Sequence, residues 1–507
     1  MRLLLLLVCS ALAMPLSSQA QQQPERPNII VFLVDDLGWQ DTSVPFFTSK
    51  TSLNKRYHTP NMERMAQSGL KFTQAYATAV CSPSRVSYLT GMNAARHRVT
   101  NWTLHANEIK PMETNHKTLD IPFWNVNGVS VEGVPNSVKA EPLPKRLAEA
   151  GYTTIHCGKA HFGAIGTPGE DPLKLGFQVN IAGHAAGAPG SYLGEDNYGN
   201  GNPKRKVWAV PGLDTYHGTE TNLTEALTLE AKIALEDALK KDSPFYLHMA
   251  HYGVHTPIMQ DRRFYQKYLE KGLDTIEAKY ASMVEAMDKS LGDLLDFLEE
   301  KQIDENTLVL FMSDNGGLSA VARGGEKHTH NKPLASGKGS IYEGGIREPM
   351  LAHWPAVIKA GTTTDQPLII EDFYPTLLAV AGVSIAATPQ TLDGKSFTPL
   401  FRGQRMDYER KLYWHFPNKW GGTGPGIGAY SAIRKGDWKL IYFHEDQHLE
   451  LFNLKDDIGE TRNLALEKPH KSLELADQLT EYLKSVKAQM PVVKATGKPV
   501  PWPNAVL

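Results

Sequence analysis

Residues 28–38 read NIIVFLVDDLG, and residues 307–317 read TLVLFMSDNGG. Each is a run of β-branched and large apolar residues that stops at an acidic or amide pair followed by glycine. That is the pattern of a strand buried on both faces and ending in a loop. Helical spacing fills the interval: Asn222 with Glu225 three residues on is spaced as a capping box for a helix through Lys240. Ile276, Tyr280, Met283, Met287, Leu291 and Leu294 mark one apolar face of another. Strands alternating with helices specify an α/β sheet covered on both sides. In such sheets the ligand crevice lies beyond the carboxyl ends of the strands, so Asp35-Asp36 and Asp314-Asn315 can converge on one point. Their donors are hard oxygens, which favour calcium, with magnesium second, over zinc or copper.

The chain has 507 residues, 41% of them hydrophobic, enough for a large core. Its 53 Lys and Arg against 55 Asp and Glu give no electrostatic reason to expect nucleic acid or a polybasic membrane contact. The start, MRLLLLLVCSALAMPLSSQAQQQ, has one basic residue, a leucine-rich run and the small pair Ser18 and Ala20, a signal-peptide pattern expected to cover residues 1–20. The mature protein is then expected to be exported, periplasmic or secreted, without a stable membrane anchor. Only Cys81 and Cys157 follow the leader, so a disulfide framework is not expected. Past Pro389 the pattern changes to short strand-like pieces, YSAIRKGDWKLIYF and LELFNLKDD, then a helix near 471–488. This reads as an α+β module over 404–507, after a main domain over 25–403.

In AVCSPSRVSYLTG, residues 79–91, Cys81 stands two places before a proline that suits a first helical turn, with Val86, Tyr88 and Leu89 following. A thiol at a helix N-terminus reads, on its own, either as a thiolate of lowered pKa or as a buried structural cysteine.

Cys81-Ser82-Pro83-Ser84-Arg85 with Leu89-Thr90-Gly91 resembles the type I sulfatase signature C-x-P-x-R…L-T-G. Asp35-Asp36-Leu37-Gly38, Gly158-Lys159-Ala160-His161, Val254-His255-Thr256-Pro257, Ser313-Asp314-Asn315-Gly316 and the run from Gly337-Lys338 to Gly345 follow in the order of that family, and the likeness spans roughly 27–400. The resemblance implies an alkaline phosphatase-like fold: a large mixed, mostly parallel sheet between helices, with a smaller C-terminal domain carrying a short antiparallel sheet and a helix. It implies that a formylglycine-generating or anaerobic sulfatase-maturating enzyme converts Cys81 to formylglycine (3-oxoalanine), whose aldehyde hydrates to a diol. Asp35, Asp36, Asp314 and Asn315 would hold calcium in contact with residue 81, Arg85 would steady the diol, and Lys159 and Lys338 would grip the sulfate and leaving oxygen. His161 and His255 would handle protons.

The intervening loops carry no general motif and are expected to set specificity. Trp102, His105, His184, Arg323 and His328 are candidates to contact a sugar, since aromatic faces stack on rings and basic groups read hydroxyls or acids. The expected substrate is a sulfated carbohydrate, a terminal galactose or N-acetylgalactosamine of a host or algal glycan. Two alternatives stay open: a phosphate or phosphonate ester hydrolase of the same superfamily, and a glycan-binding protein without turnover if Cys81 is not converted.

Overall fold

The computed structural model describes residues 26–106, 116–128 and 133–507. The expected leader over 1–20, and parts of the loop at 101–130, lie outside them. Ten strands precede residue 370: β1 (Asn28–Val34), β2 (Leu70–Tyr76), β3 (Leu119–Asp120), β4 (Thr153–Gly158), β5 (Val179–Ile181), β6 (Phe245–Ala250), β7 (Thr307–Ser313), β8 (Arg347–His353), β9 (Thr362–Thr364) and β10 (Leu368–Ile369). All but β3 form one nine-stranded sheet in the order β10-β2-β8-β7-β1-β6-β4-β5, with β9 also on β2. Only β8 runs antiparallel to its neighbours, so the sheet is mixed and mostly parallel.

The two stretches read first, β1 and β7, lie side by side, from Asn28 opposite Thr307 to Val34 opposite Ser313. Their polar ends therefore emerge at the same level. β1 also shows the strict alternation of a strand covered on both faces. Ile29, Val31 and Leu33 enter one core with α2 (Cys81–Thr90), α3 (Leu143–Glu149) and α6 (Phe373–Val380). Ile30, Phe32 and Val34 enter the other with α1 (Pro60–Ser68), α4 (Leu223–Leu239) and α5 (Thr275–Glu300).

Local expectations held in outline and failed in two details. Asn222 caps α4, accepting from the Thr224 N–H at 3.0 Å, but Glu225 pairs with Arg263 at 2.8 Å. Tyr280, Met283, Met287, Leu291 and Leu294 are buried on α5, whereas Ile276, in its first turn, is 46% exposed. Cys81 and Cys157 are both free thiols.

Four antiparallel strands, β11 (Lys411–Phe416), β12 (Tyr430–Lys435), β13 (Trp438–Phe443) and β14 (Leu449–Asn453), make a separate sheet. One face carries Ile433, Leu440 and Leu451 against Leu475, Leu479 and Leu483 of α7 (Pro469–Ser485). The other face turns Leu412, Trp414, Ala432 and Ile441 into the same core as Tyr76 and Ala77. Trp414 meets the Tyr76 ring edge-on at 5.5 Å and donates its indole N–H to the Ala77 carbonyl at 2.8 Å, four residues before Cys81. Small sheet and large sheet are thus joined beneath the loop that delivers the signature helix.

Trp414→Ala should lower the unfolding free energy by about 3–5 kcal/mol in urea titrations, the usual cost of emptying a large aromatic site. Trp414→Phe, which removes only the indole donor and some volume, should cost about 1–2 kcal/mol.

Candidate active site

The site grows from strand ends. Past β1 the chain turns at Asp36, whose φ of 62° is an uncommon conformation for a residue with a side chain. The Asp36 N–H points to Asp314 Oδ1 at 3.4 Å, and Asn315 Nδ2 donates to Asp36 Oδ1 at 2.7 Å, so the two polar pairs interlock. At the end of β4, Gly158 has φ 101°, and a Cβ there would lie 2.0 Å from the Ala250 carbonyl oxygen. Only glycine lets the chain turn so close to β6, and this turn delivers Lys159 to the centre.

Helix α2 supplies the rest, and nearly each letter of its signature has a physical task. Cys81 opens the helix and Arg85 lies one turn on, on the same face. Ser82 Oγ accepts from the Thr103 N–H at 3.1 Å, and Ser84 Oγ accepts from the Thr78 N–H at 2.9 Å, fixing the neighbouring loop and the entry of the chain. Arg85 donates through Nε to Asp314 Oδ2 at 2.8 Å and through Nη1 to the Lys159 carbonyl at 2.8 Å. Gly91 closes the helix with its N–H on the Ser87 carbonyl at 2.8 Å.

Three buried carboxylates, Asp35, Asp36 and Asp314, therefore face three buried cations. Lys159 pairs with Asp35, Lys338 with Asp36 at 2.6 Å, and Arg85 with Asp314. Burial, then the neighbouring Asp314, pushes the Asp35 carboxyl well above the usual range despite Lys159. For Asp36, burial pulls the same way but is outweighed by Lys338, His255, Lys159 and the Asn315 hydrogen bond, which hold it well below that range. Burial also pushes the Cys81 thiol up, outweighing the opposing pull of Lys159 and Lys338, with smaller upward contributions from Asp35 and Asp314. The helix N-terminus does not make it a thiolate.

Oxygen lone pairs remain. Asp35 Oδ1, Asp36 Oδ2 and Asn315 Oδ1 are buried without a hydrogen-bond partner. One ligand atom each from Asp35, Cys81 and Asp314 falls within a 4.8 Å cluster, as does one each from Asp35, Asp36 and His255. Unsatisfied, buried, hard oxygen donors suit a calcium- or magnesium-sized cation, which would also relieve the carboxylate repulsion.

Two histidines face the same space. His255 Nδ1 is 2.9 Å from the Thr256 carbonyl, which can only accept, so that nitrogen carries the proton and Nε2, 3.6 Å from Asp36, is bare. His161 is the mirror case: Nε2 donates to the Thr103 carbonyl at 2.7 Å and Nδ1 keeps a free lone pair. Burial, then Lys338, lowers His255 to about 3, and burial, Lys159 and Arg85 hold His161 well below its ordinary value. Both are neutral imidazoles at pH 7.

Over this centre opens a cleft of about 690 Å³ whose lining includes Cys81, His161, His255, Lys338 and Trp102. The other sugar-contact candidates sit elsewhere. Arg323 is corrected outright: its guanidinium is buried, bonded to Asp41 at 2.9 and 3.0 Å and to Glu277 at 2.6 and 3.2 Å, and it lies 3.9 Å over the Tyr280 ring. Saturated in this way, it has nothing to offer a sugar. His184 packs at 6.2 Å from Tyr252 behind the His161 backbone, His105 lies in a bridge to Ile165, and His328 stands by Ser336 and Gly424. None of the three lines the cleft. Sequence reasoning missed Lys204, Arg205, Trp208 and Trp420, which do. The tryptophan in the glycine-rich NKWGGTGPG run at 418–426 was the available signal.

The family model Sulfatase matches residues 27–383, and N-sulphoglucosamine sulphohydrolase, C-terminal, matches 336–489. A protein named Sulfatase from Formosa agariphila is 30% identical over 92% of this chain and 90% of its own. N-acetylgalactosamine-6-sulfatase of Mus musculus is 33% identical over 82% and 72%. The crystal structure of Ps i-CgsB in complex with k-i-k-neocarrahexaose superposes with a TM-score of 0.71 at 28% identity, covering 90% of this chain and 93% of that one.

Arg85→Met should cost about 3–5 kcal/mol of stability in denaturant titration, because it strands Asp314 as an unpaired buried charge. In metal-free protein, stability should fall as pH drops from about 6.5 toward 4. The unfolded chain then takes up protons that the folded His255 and His161 refuse, at up to about 1.4 kcal/mol per pH unit per histidine. Replacing His255 with Asn should lessen that slope by its own share only, because His97, His156 and His251, each lowered by burial to about 3, contribute to it as well.

Proposed function

The chain belongs to the sulfatase family and is a sulfatase, and from that premise we propose that it removes an O-sulfate from a carbohydrate, a terminal galactose or N-acetylgalactosamine of a host or algal glycan. The relatives named N-acetylgalactosamine-6-sulfatase and the neighbour crystallised with k-i-k-neocarrahexaose support the carbohydrate class. The observation that carries the reading is the location of Cys81: buried at a helix start, among three carboxylates and three cations, with its thiol held protonated.

A protonated thiol is a poor nucleophile, which supports the conversion of Cys81 to formylglycine by a dedicated maturation enzyme during biosynthesis. As its hydrate, that group supplies an oxygen nucleophile; a calcium ion held by Asp35, Asp36, Asp314 and Asn315 supplies charge stabilisation. The chain's own residues do the remaining work. Lys338 is the one cation of the centre that also lines the open cleft, and Asp36 and its other anionic neighbours, against the effect of burial, keep it charged. It is assigned to hold the sulfate and relieve charge on the departing oxygen. Lys159 and Arg85 hold the carboxylate ring and the residue at position 81 in place.

The tautomers divide the histidines' tasks. His161, with a free Nδ1 lone pair at the cleft floor, is the proton acceptor. His255, neutral with Nε2 bare, accepts a hydrogen bond from a hydroxyl of the leaving sugar, and gives a proton to the departing oxygen only after taking one up. The exported location and the division at residue 404 belong to the same proposal. Among the described residues no helix is long and apolar enough to cross a membrane.

Protein coexpressed with a maturation enzyme should show residue 81 about 18 Da lighter than cysteine by peptide mass spectrometry, and should release sulfate from sulfated galactosides. Cys81→Ala should abolish release; full activity in that variant would remove residue 81 from the mechanism. Chelation should also abolish release, and calcium at about 100 times its dissociation constant should restore it while adding about 2.7 kcal/mol of stability in thermal melts.

A further inference from the structure

We propose that the rim of the cleft reads a second anionic group, on the sugar next to the one that loses its sulfate, so that the preferred substrate is an oligosaccharide charged at two neighbouring residues. This deepens the sulfatase reading and rests on it.

Among the described residues, three basic side chains line the cleft, Lys204, Arg205 and Lys338, and no aspartate or glutamate does. Lys338 is buried at the floor and paired with Asp36. Lys204 and Arg205 stand exposed at the rim, and among the described residues neither has a carboxylate partner. Arg205 is nonetheless positioned: its Nη1 donates to the Gly190 carbonyl, fixing the head group to the 187–190 wall of the same cleft. Exposed basic residues elsewhere on this protein pair with acids, as Arg262 and Lys289 do. Two adjacent cations left without an acid, facing a site that binds an anion, make a field that concentrates and orients polyanions.

The neighbouring aromatic residues give that field a sugar to act on. Trp208 and Trp420 line the cleft, both half-buried. Trp420 is seated on Gly339, one residue past Lys338, where a Cβ would lie 2.1 Å from the indole. The floor recognises the ester being cleaved, so an isolated sulfated monosaccharide needs nothing from Lys204, Arg205 or these rings. Indole faces with cations beside them suit a second ring bearing negative charge. A sulfate ester and a uronate carboxylate share that chemistry.

The test uses matured wild-type protein and a set of disaccharides with the same scissile sulfate, differing only in the neighbouring sugar: uncharged, sulfated or carboxylated. Sulfate release should favour the doubly anionic members by about tenfold in kcat/KM, carried by KM and weakening with added salt. In a Lys204→Ser, Arg205→Ser double variant the preference ratio should collapse toward one, and Lys204→Arg, Arg205→Lys should restore it. If sulfate but not carboxylate gains, or the reverse, the source of the charge is identified. Calorimetric binding of the same disaccharides should show the same ratio without relying on turnover. Absence of sulfate release from every member would count against the hydrolase reading alone, and binding would still decide this inference. Equal affinity for charged and uncharged neighbours, or an unchanged ratio in the double variant, would overturn it.

Discussion

Mutual neutralisation of Asp35, Asp36 and Asp314 by Lys159, Lys338 and Arg85 is the constraint on which the rest of the molecule depends. Each of these six side chains is buried, and none could be so without its partner, because an isolated charge in such an environment costs several kcal/mol. Partners come from the ends of β1, β7 and β4, from the second turn of α2 and from the loop before β8. The sheet order, the parallel register of β1 with β7 and the close turn at Gly158 are therefore conditions for the charges to meet. Packing at the Trp414 contact extends the condition to the small sheet, since it supports the backbone just before Cys81.

The charge arrangement also bears on the proposed oxygen chemistry at position 81. Burial keeps the thiol protonated in spite of Lys159 and Lys338, and the open oxygen lone pairs of Asp35, Asp36 and Asn315 call for a hard cation. Those two facts point the same way as the family membership without depending on it.

Much of this was legible in the chain because it is local. A buried strand that stops at a polar pair can be read from a few residues, and so can a helix start with Cys at its head and Arg one turn on. The convergence of the two strand ends followed from a rule about where α/β crevices lie, and the parallel β1–β7 register is its physical realisation. What could not be read was which loop residues face the cleft. Arg323 looked like a free cation in a glycine-rich loop, yet Asp41 and Glu277, 282 and 46 residues away in sequence, claim it. Trp420 reaches the cleft only because the small sheet folds back against the large one, and the loop after β11 therefore becomes a wall. Such contacts are set by topology, which carries no mark in a short window of sequence.

A centre with these balanced charges and open oxygen donors should discriminate for a sulfate ester over a phosphate ester. The kcat/KM of the matured, calcium-loaded protein on a sulfate ester and a phosphate ester of the same leaving alcohol, measured side by side, decides this. The sulfate ester should be turned over far faster. Dominant turnover of the phosphate ester would contradict it.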